Sequence, residues 1–159
     1  MKNKWLVVGA AGISLLLGAS RAAGRSYNPL KWIKKNSGLT ADQQLAGNKE
    51  EERKLSLQLQ ALLPPRTTLR QACSGFASLR DCVAALHVSR NVKIKYNCLK
   101  WDMTAARPNG DVKTCEAPPG DRALSLVKAI RVLNSEADAK AEAKNAERRA
   151  GEDIRDATS

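Results

Sequence analysis

Four cysteines are the residues with the clearest chemistry in this sequence, and all of them lie between Cys73 and Cys115. Thiols in such a group either pair as disulfides or bind a metal ion. The gaps between these cysteines are long and irregular, without the Cys-x-x-Cys pairs that zinc ribbons and fingers use. The sequence therefore predicts two disulfides and no metal site.

Residues that can reverse the chain favour one pairing, Cys73 with Cys82 and Cys98 with Cys115. A continuous helix from Cys73 to Cys82 would separate their Cα atoms by roughly 13 Å, whereas a disulfide allows only ~7 Å. This bond therefore requires a chain reversal, which Gly75 permits. The second bond then closes the loop that contains the turn-forming Pro-Asn-Gly sequence.

A different pairing remains open, because Cys82 and Cys98 flank the turn-prone segment 89–91. If these two cysteines pair across that turn, Cys73 is left to pair with Cys115.

Residues of the kinds that perform catalysis are sparse. His87 is the single histidine, and Asp81 and Asp102 are isolated carboxylates without the partner that a glycosidase needs. The chain contains no nucleophile-elbow, phosphate-loop or His-Glu-x-x-His motif. We expect His87 to be partly buried or to cap a helix, and we predict no catalytic residue and no cofactor.

Lysines alternate with aromatic residues in two places. The residues concerned are Lys31, Trp32, Lys34, Lys35, Lys93, Lys95, Lys100 and Trp101. Such a pattern suits an anionic membrane surface or polymer, or the stacking of bases or sugars. The formal net charge of +11 favours the same anionic partners. In the favoured interpretation, however, the first stretch docks on the body, Trp101 lies in the core, and the lysines remain in water.

The N-terminus has the layout of an export signal. Lys2 and Lys4 precede an apolar run from Trp5 to Ala19, and small residues follow it. The run is shorter than the ~18–20 residues of a bilayer span, so cleavage after Ala22 or Gly24 is favoured over an N-terminal membrane anchor. The predicted location is the periplasm or the cell exterior.

Four segments follow from these patterns. They are a signal peptide (1–24), a basic aromatic arm (25–39), a helical domain with four cysteines (40–135) and a charged, Ala-rich helical tail (136–159). The predicted fold is all-α, a small disulfide-stapled helical domain with an extended C-terminal helix.

Capping residues and apolar spacing place the helices of the domain. Thr40 and Gln43 predict a capping box that opens one helix from Ala41 to Leu63, ended by two prolines. Further predicted features are caps at Thr68, Ser78 and Asn97, an extended linker over Val92 to Tyr96, and a helix carrying Leu124, Val127 and Ile130, with Leu133 as a possible fourth residue of that face.

The tail predicts a helix but not a core. Alanines recur with a 4-3-4 spacing from Ala139 to Ala150 and would form a thin seam for a protein partner. The favoured interpretation is a solvated helix that frays near Gly151, with disorder from Asp156 to Ser159.

Several motifs together resemble small exported bacterial proteins of uncharacterised function. These motifs are Cys-Ser-Gly-Phe76, Cys-Val-Ala-Ala-Leu-His-Val-Ser89, Cys-Leu-Lys-Trp-Asp-Met-Thr104, Leu-Ser-Leu-Val-Lys-Ala-Ile130 and the Ala/Lys/Glu tail. The resemblance covers roughly residues 66 to 155 and implies export and a helical fold, but no activity. The sequence thus predicts an exported, non-enzymatic binding or structural protein, with a polyanion or nucleic-acid binder as the alternative.

Overall fold

The computed structural model describes residues 38–110, 112–116 and 121–159. Within these residues the chain forms helices and no strand, with two disulfides and a long C-terminal helix, so the predicted all-α fold is confirmed. The helices are α1 (Ala41–Gly47), α2 (Lys49–Gln58), α3 (Leu69–Cys73), α4 (Leu79–Val92), α5 (Tyr96–Thr104), α6 (Leu126–Leu133) and α7 (Ala139–Ala157). None of these described helices is long and apolar enough to cross a membrane. The predicted signal peptide, and the arm up to residue 37, lie outside the described residues.

Local capping chemistry sets three helix starts as predicted. The side chains of Thr40, Thr68 and Ser78 each accept a hydrogen bond from a backbone N–H in the first turn of α1, α3 and α4. Such bonds satisfy amide donors that have no partner inside the helix.

The prediction of a single helix from Ala41 to Leu63 is wrong, because the helix is interrupted at Asn48. The backbone of Asn48 is extended, and its side-chain oxygen accepts from the N–H groups of Glu50 at 3.0 Å and Glu51 at 3.4 Å. Asn48 therefore starts a new helix, since an N-cap of this kind favours helix initiation over continuation.

The predicted extended linker over Val92–Tyr96 is shorter in the structure. Helix α4 reaches Val92, and Lys93 ends it in the left-handed conformation with φ of 57°. Helix α5 begins after Lys95, and not after the predicted Asn97. Because Tyr96 is only 8% exposed, we attribute the earlier start to packing of its ring in the core.

Helix α4 lies at the centre of the core. All its residues from Cys82 to Val88 are buried. Helix α7 packs along it, and α5, α1 and α3 pack against its other sides. A helix enclosed in this way needs apolar or small residues around its whole circumference.

Helix α7 packs in the core, which corrects the prediction of a solvated tail. Its buried residues are Ala139, Ala143, Ala146, Ala150, Ile154 and Ala157. Alanine buries little area, but its small side chain lets two helices approach closely and pack densely. The predicted alanine seam therefore exists, and α4 of the same chain occupies it.

The predicted fraying and disorder at the end of the tail are also wrong. Helix α7 passes through Gly151 and continues to Ala157, and Thr158 caps it. Gly151 faces Arg80 of α4, whose Nη2 atom would lie 3.8 Å from a Cβ at that position. Contact with α4 thus stabilises α7 in the region where the sequence alone predicts that the helix frays.

Helix α6 connects the cysteine-bearing part of the core to α7. It buries Leu126, Ala129 and Ile130, and the backbone N–H of Leu124, just before it, donates to the carbonyl oxygen of Asp102 at 2.8 Å. This hydrogen bond connects the segment before α6 to α5. Leu124 was predicted to lie on the helix itself, but it precedes the helix.

Candidate functional site

Both disulfides join the pairs that the sequence analysis favoured. Cys73 pairs with Cys82, and Cys98 pairs with Cys115, each with a Cα–Cα separation of 5.2 Å. The chain reverses after α3 at Gly75, whose φ of +83° suits glycine.

The structure separates the residues that were predicted to bind polyanions. Those of the arm lie outside the described residues: Lys31, Trp32, Lys34 and Lys35. Of the others, Lys93 and Lys95 are exposed, Trp101 is half-buried, and Lys100 is only 9% exposed. The second stretch is therefore not one continuous basic surface, and the expectation of a solvated Lys100 is wrong.

The side chain of Lys100 on α5 reaches the end of α3. Its Nζ donates to the carbonyl oxygen of Gln71 at 2.9 Å and to the hydroxyl of Ser74 at 3.2 Å. Burial lowers the pKa of the Lys100 amine, because the charged form loses water, and the nearby carboxylate of Asp42 opposes that effect. Asp42 also accepts from the N–H of Gly75 at 3.1 Å.

Lys100 helps to line a cleft of about 640 Å³. The lining comes from two walls, the end of α3 with the turn after it and α5, and from the more exposed segments 64–67 and 106–110, which we call the rim. The side chains and backbone that line it belong to Pro64, Pro65, Thr67, Gln71, Ala72, Ser74, Gly75, Tyr96, Asn97, Lys100, Thr104, Ala106, Arg107, Pro108, Asn109 and Gly110. Lys100 and Arg107 carry charge in this lining, which among the described residues includes no carboxylate.

Arg107 is the functional candidate that the sequence analysis missed. Its Cζ lies 5.5 Å from the centroid of the Trp101 ring, within the range of a cation–π contact. In the sequence Arg107 precedes a Pro-Asn-Gly turn, and nothing in that pattern indicates that the turn folds back over Trp101.

Two of the three described non-glycine residues with positive φ adjoin the cleft, and the third, Lys93, ends α4. Arg66 and Ala105 are non-glycine residues with φ of 60° and 54°, and both stand between residues of the lining. Gly110, also in the rim, has a φ of +134°. A Cβ at this position would lie 2.9 Å from the side-chain Nδ2 of Asn97. Strained backbone of this kind costs energy and often marks a functional site.

A second, smaller groove of about 360 Å³ includes both cysteines of the Cys98–Cys115 disulfide in its lining. Lys93, Lys95 and the exposed Val132 also line it. The amine of Lys95 donates to the hydroxyl of Thr114 at 2.6 Å.

Asp102 is a buried carboxyl group outside both openings. It is 1% exposed, and its Oδ2 has no hydrogen-bond partner among the described residues. Burial raises the pKa of Asp102, because the ionised form is poorly solvated there.

His87 and Tyr96 have structural partners. The Nε2 atom of His87 lies 2.6 Å from Oδ2 of Asp153, so this pair joins α4 to α7, and the expectation of a partly buried histidine is confirmed. The hydroxyl of Tyr96 donates to the carbonyl oxygen of Ala72 at 3.0 Å, and burial raises the pKa of this phenol.

Within the described part of the chain, no group of three or more His, Cys, Asp or Glu residues is placed to bind a metal ion. No protein-family model, curated protein or solved structure matches the sequence or the fold.

Proposed function

We propose that this chain is an exported binding protein of the bacterial cell envelope or exterior, which holds a ligand in its 640 Å³ cleft without transforming it. One observation carries the proposal, namely that each of the two helices that contribute to the lining of the cleft bears a disulfide. Cys73 ends α3 and Cys98 lies in α5, and residues next to these cysteines line the cleft although the cysteines themselves do not.

Cross-linked walls favour binding because they are already ordered, which reduces the conformational entropy lost when a ligand binds. Helices α3 and α5 have 5 and 9 residues and would be marginal alone. The disulfides anchor them to α4 and to segment 112–116, so the cleft exists before the ligand arrives.

Export is supported by two independent features. Disulfides persist in oxidising compartments outside the cytosol, and the sequence begins with lysines, an apolar run and small residues. Mass spectrometry of the protein from its native cells should find a new N-terminus between Arg21 and Arg25. An intact Met1 in the envelope fraction would indicate a membrane anchor, and four free thiols would contradict export altogether.

Binding is tested by thermal unfolding against a panel of small molecules. A ligand of the cleft should raise Tm with its concentration, because it binds only the folded state. Hydrogen exchange should then show protection in 71–75 and 96–110, and protection confined to other segments would place the site elsewhere.

Polyanion binding is the second candidate function. Residues 25–37, which remain after the predicted cleavage, hold four of the 27 Lys and Arg residues and no Asp or Glu, and Lys93 and Lys95 are exposed. Affinity for DNA or an anionic polysaccharide should then fall linearly in a plot of log affinity against log salt concentration. Binding that does not depend on salt would reject this candidate.

A further inference from the structure

The cleft combines positive charge with an acid-free lining among the described residues. Lys100 lies at its base and Arg107 at its rim. Its volume of about 640 Å³ falls in the range of roughly 300–1,000 Å³ that small-molecule sites occupy. The charge therefore restricts which small molecules the cleft favours.

Arg107 contacts an aromatic ring and, within the described chain, forms no salt bridge with an Asp or Glu. Its Cζ lies 5.5 Å from the centroid of the Trp101 ring, and this cation–π contact favours one position of the exposed guanidinium. A planar guanidinium presents two parallel N–H donors, a geometry that matches the two oxygens of a carboxylate or phosphate.

Lys100 is a nearly buried cation whose hydrogen bonds go to uncharged acceptors, and the nearby carboxylate of Asp42, which is not part of the cleft lining, compensates its charge only in part. Gln71 supplies a carbonyl oxygen and Ser74 a hydroxyl, and no salt bridge reaches Lys100 within the described chain. A buried charge without an ion pair carries a desolvation cost, which an anion in the cleft would offset.

We infer that the cleft binds a small organic ligand through an oxyanion, a carboxylate or a phosphate, which Arg107 grips in bidentate fashion while Lys100 supplies charge at the base. This inference rests on the proposed binding function and names the chemical class of its ligand. Trp101 acts as a positioning residue, because it holds the guanidinium of Arg107.

Amide chemical shifts measured by NMR test the inference on the exported form with its disulfides intact. Inorganic phosphate and acetate are titrated separately at constant ionic strength, with chloride as the compensating anion. We expect saturable shifts confined to 71–75 and 96–110. Tighter binding of phosphate would assign the phosphoryl class, and tighter binding of acetate the carboxylate class.

Arg107→Gln should weaken the binding of the tighter anion at least about tenfold, since a charge-assisted hydrogen bond is lost. Arg131→Gln is the matched control, because Arg131 is exposed on α6 and the change in net charge is the same. Lys100→Met should also weaken binding. If that variant does not fold, the two arginine variants decide the question without it.

Equal weakening in Arg107→Gln and Arg131→Gln would overturn the inference, since net charge alone would then explain binding. Cleft amides that stay unmoved by both anions would overturn it as well. If neutral sugars move those amides where the anions do not, the proposed binding function survives without the oxyanion. Should neither kind of probe nor the panel of small molecules act on the cleft, both proposals fail.

Discussion

The α4–α7 pair and the walls of the cleft are held together by different means. Helices α4 and α7 have 14 and 19 residues, and small side chains pack between them without a covalent link. Helices α3 and α5 are much shorter, and each carries a disulfide. Long helices accumulate enough contact to hold by packing, whereas short ones gain from cross-links that restrict the unfolded chain.

This difference predicts that the two regions respond differently to damage. Disturbing the α4–α7 contact should destabilise the whole fold, because α4 is its central helix. Breaking a disulfide should loosen the cleft first.

Ala146→Glu should cost at least about 3 kcal/mol of unfolding free energy, because it places an unpaired charge in the α4–α7 contact. Ala146 is 0% exposed, whereas Ala141 on the same helix is exposed. Urea unfolding followed by circular dichroism measures the change, and Ala141→Glu is the control with little expected effect. Similar losses in the two variants would show that the alanine seam is not essential to the fold.

Replacing Cys98 and Cys115 together by alanine should cost about 3 kcal/mol, the value expected for a loop of this size. Hydrogen exchange should accelerate in α5 and in the rim of the cleft, while the amides of α7 keep their protection. Loss of protection in α7 to the same degree would mean that the two regions unfold as one unit.

Asp153→Asn should cost about 1 kcal/mol, because it weakens the hydrogen bond to His87 that joins α4 to α7. The control is Asp156→Asn, an exposed carboxylate on the same helix. A double-mutant cycle with His87→Gln isolates the pair from other effects of each change. A coupling energy near zero would leave the seam held by packing alone.

Asp102 should make stability depend on pH in a defined direction. Its pKa is raised in the folded state by burial, so its stabilising effect is fully present below the unfolded pKa, about 4, and is lost as pH rises through the folded pKa. Relative to Asp102→Asn, the unaltered protein should therefore lose stability between acidic and neutral pH. Urea unfolding across this range measures the difference, and a constant or opposite difference would contradict a raised pKa.

Features that depend on near neighbours were predictable from the sequence. Thr40, Thr68 and Ser78 cap their helices through residues three positions away, so the sequence contains both partners of each bond. The favoured disulfide pairing rested on the reversal at Gly75 and on the Pro-Asn-Gly turn between Cys98 and Cys115, although the sequence left a Cys82–Cys98 bond open. The break at Asn48 also depends on near neighbours. It was not predicted, because strong helix formers on both sides of Asn48 indicate a continuous helix.

Tertiary structure alone decided which surfaces are covered. The alanines of α7 are compatible with water or with a partner, and only their contact with α4, more than forty residues earlier in the chain, makes them core. Lys100 is buried because the end of α3 supplies its acceptors, and Arg107 reaches Trp101 because segment 105–110 folds back over α5. Burial and charge compensation depend on residues distant in sequence, so composition and spacing predicted the all-α fold and its disulfides, while the cleft and its two cations required the folded chain.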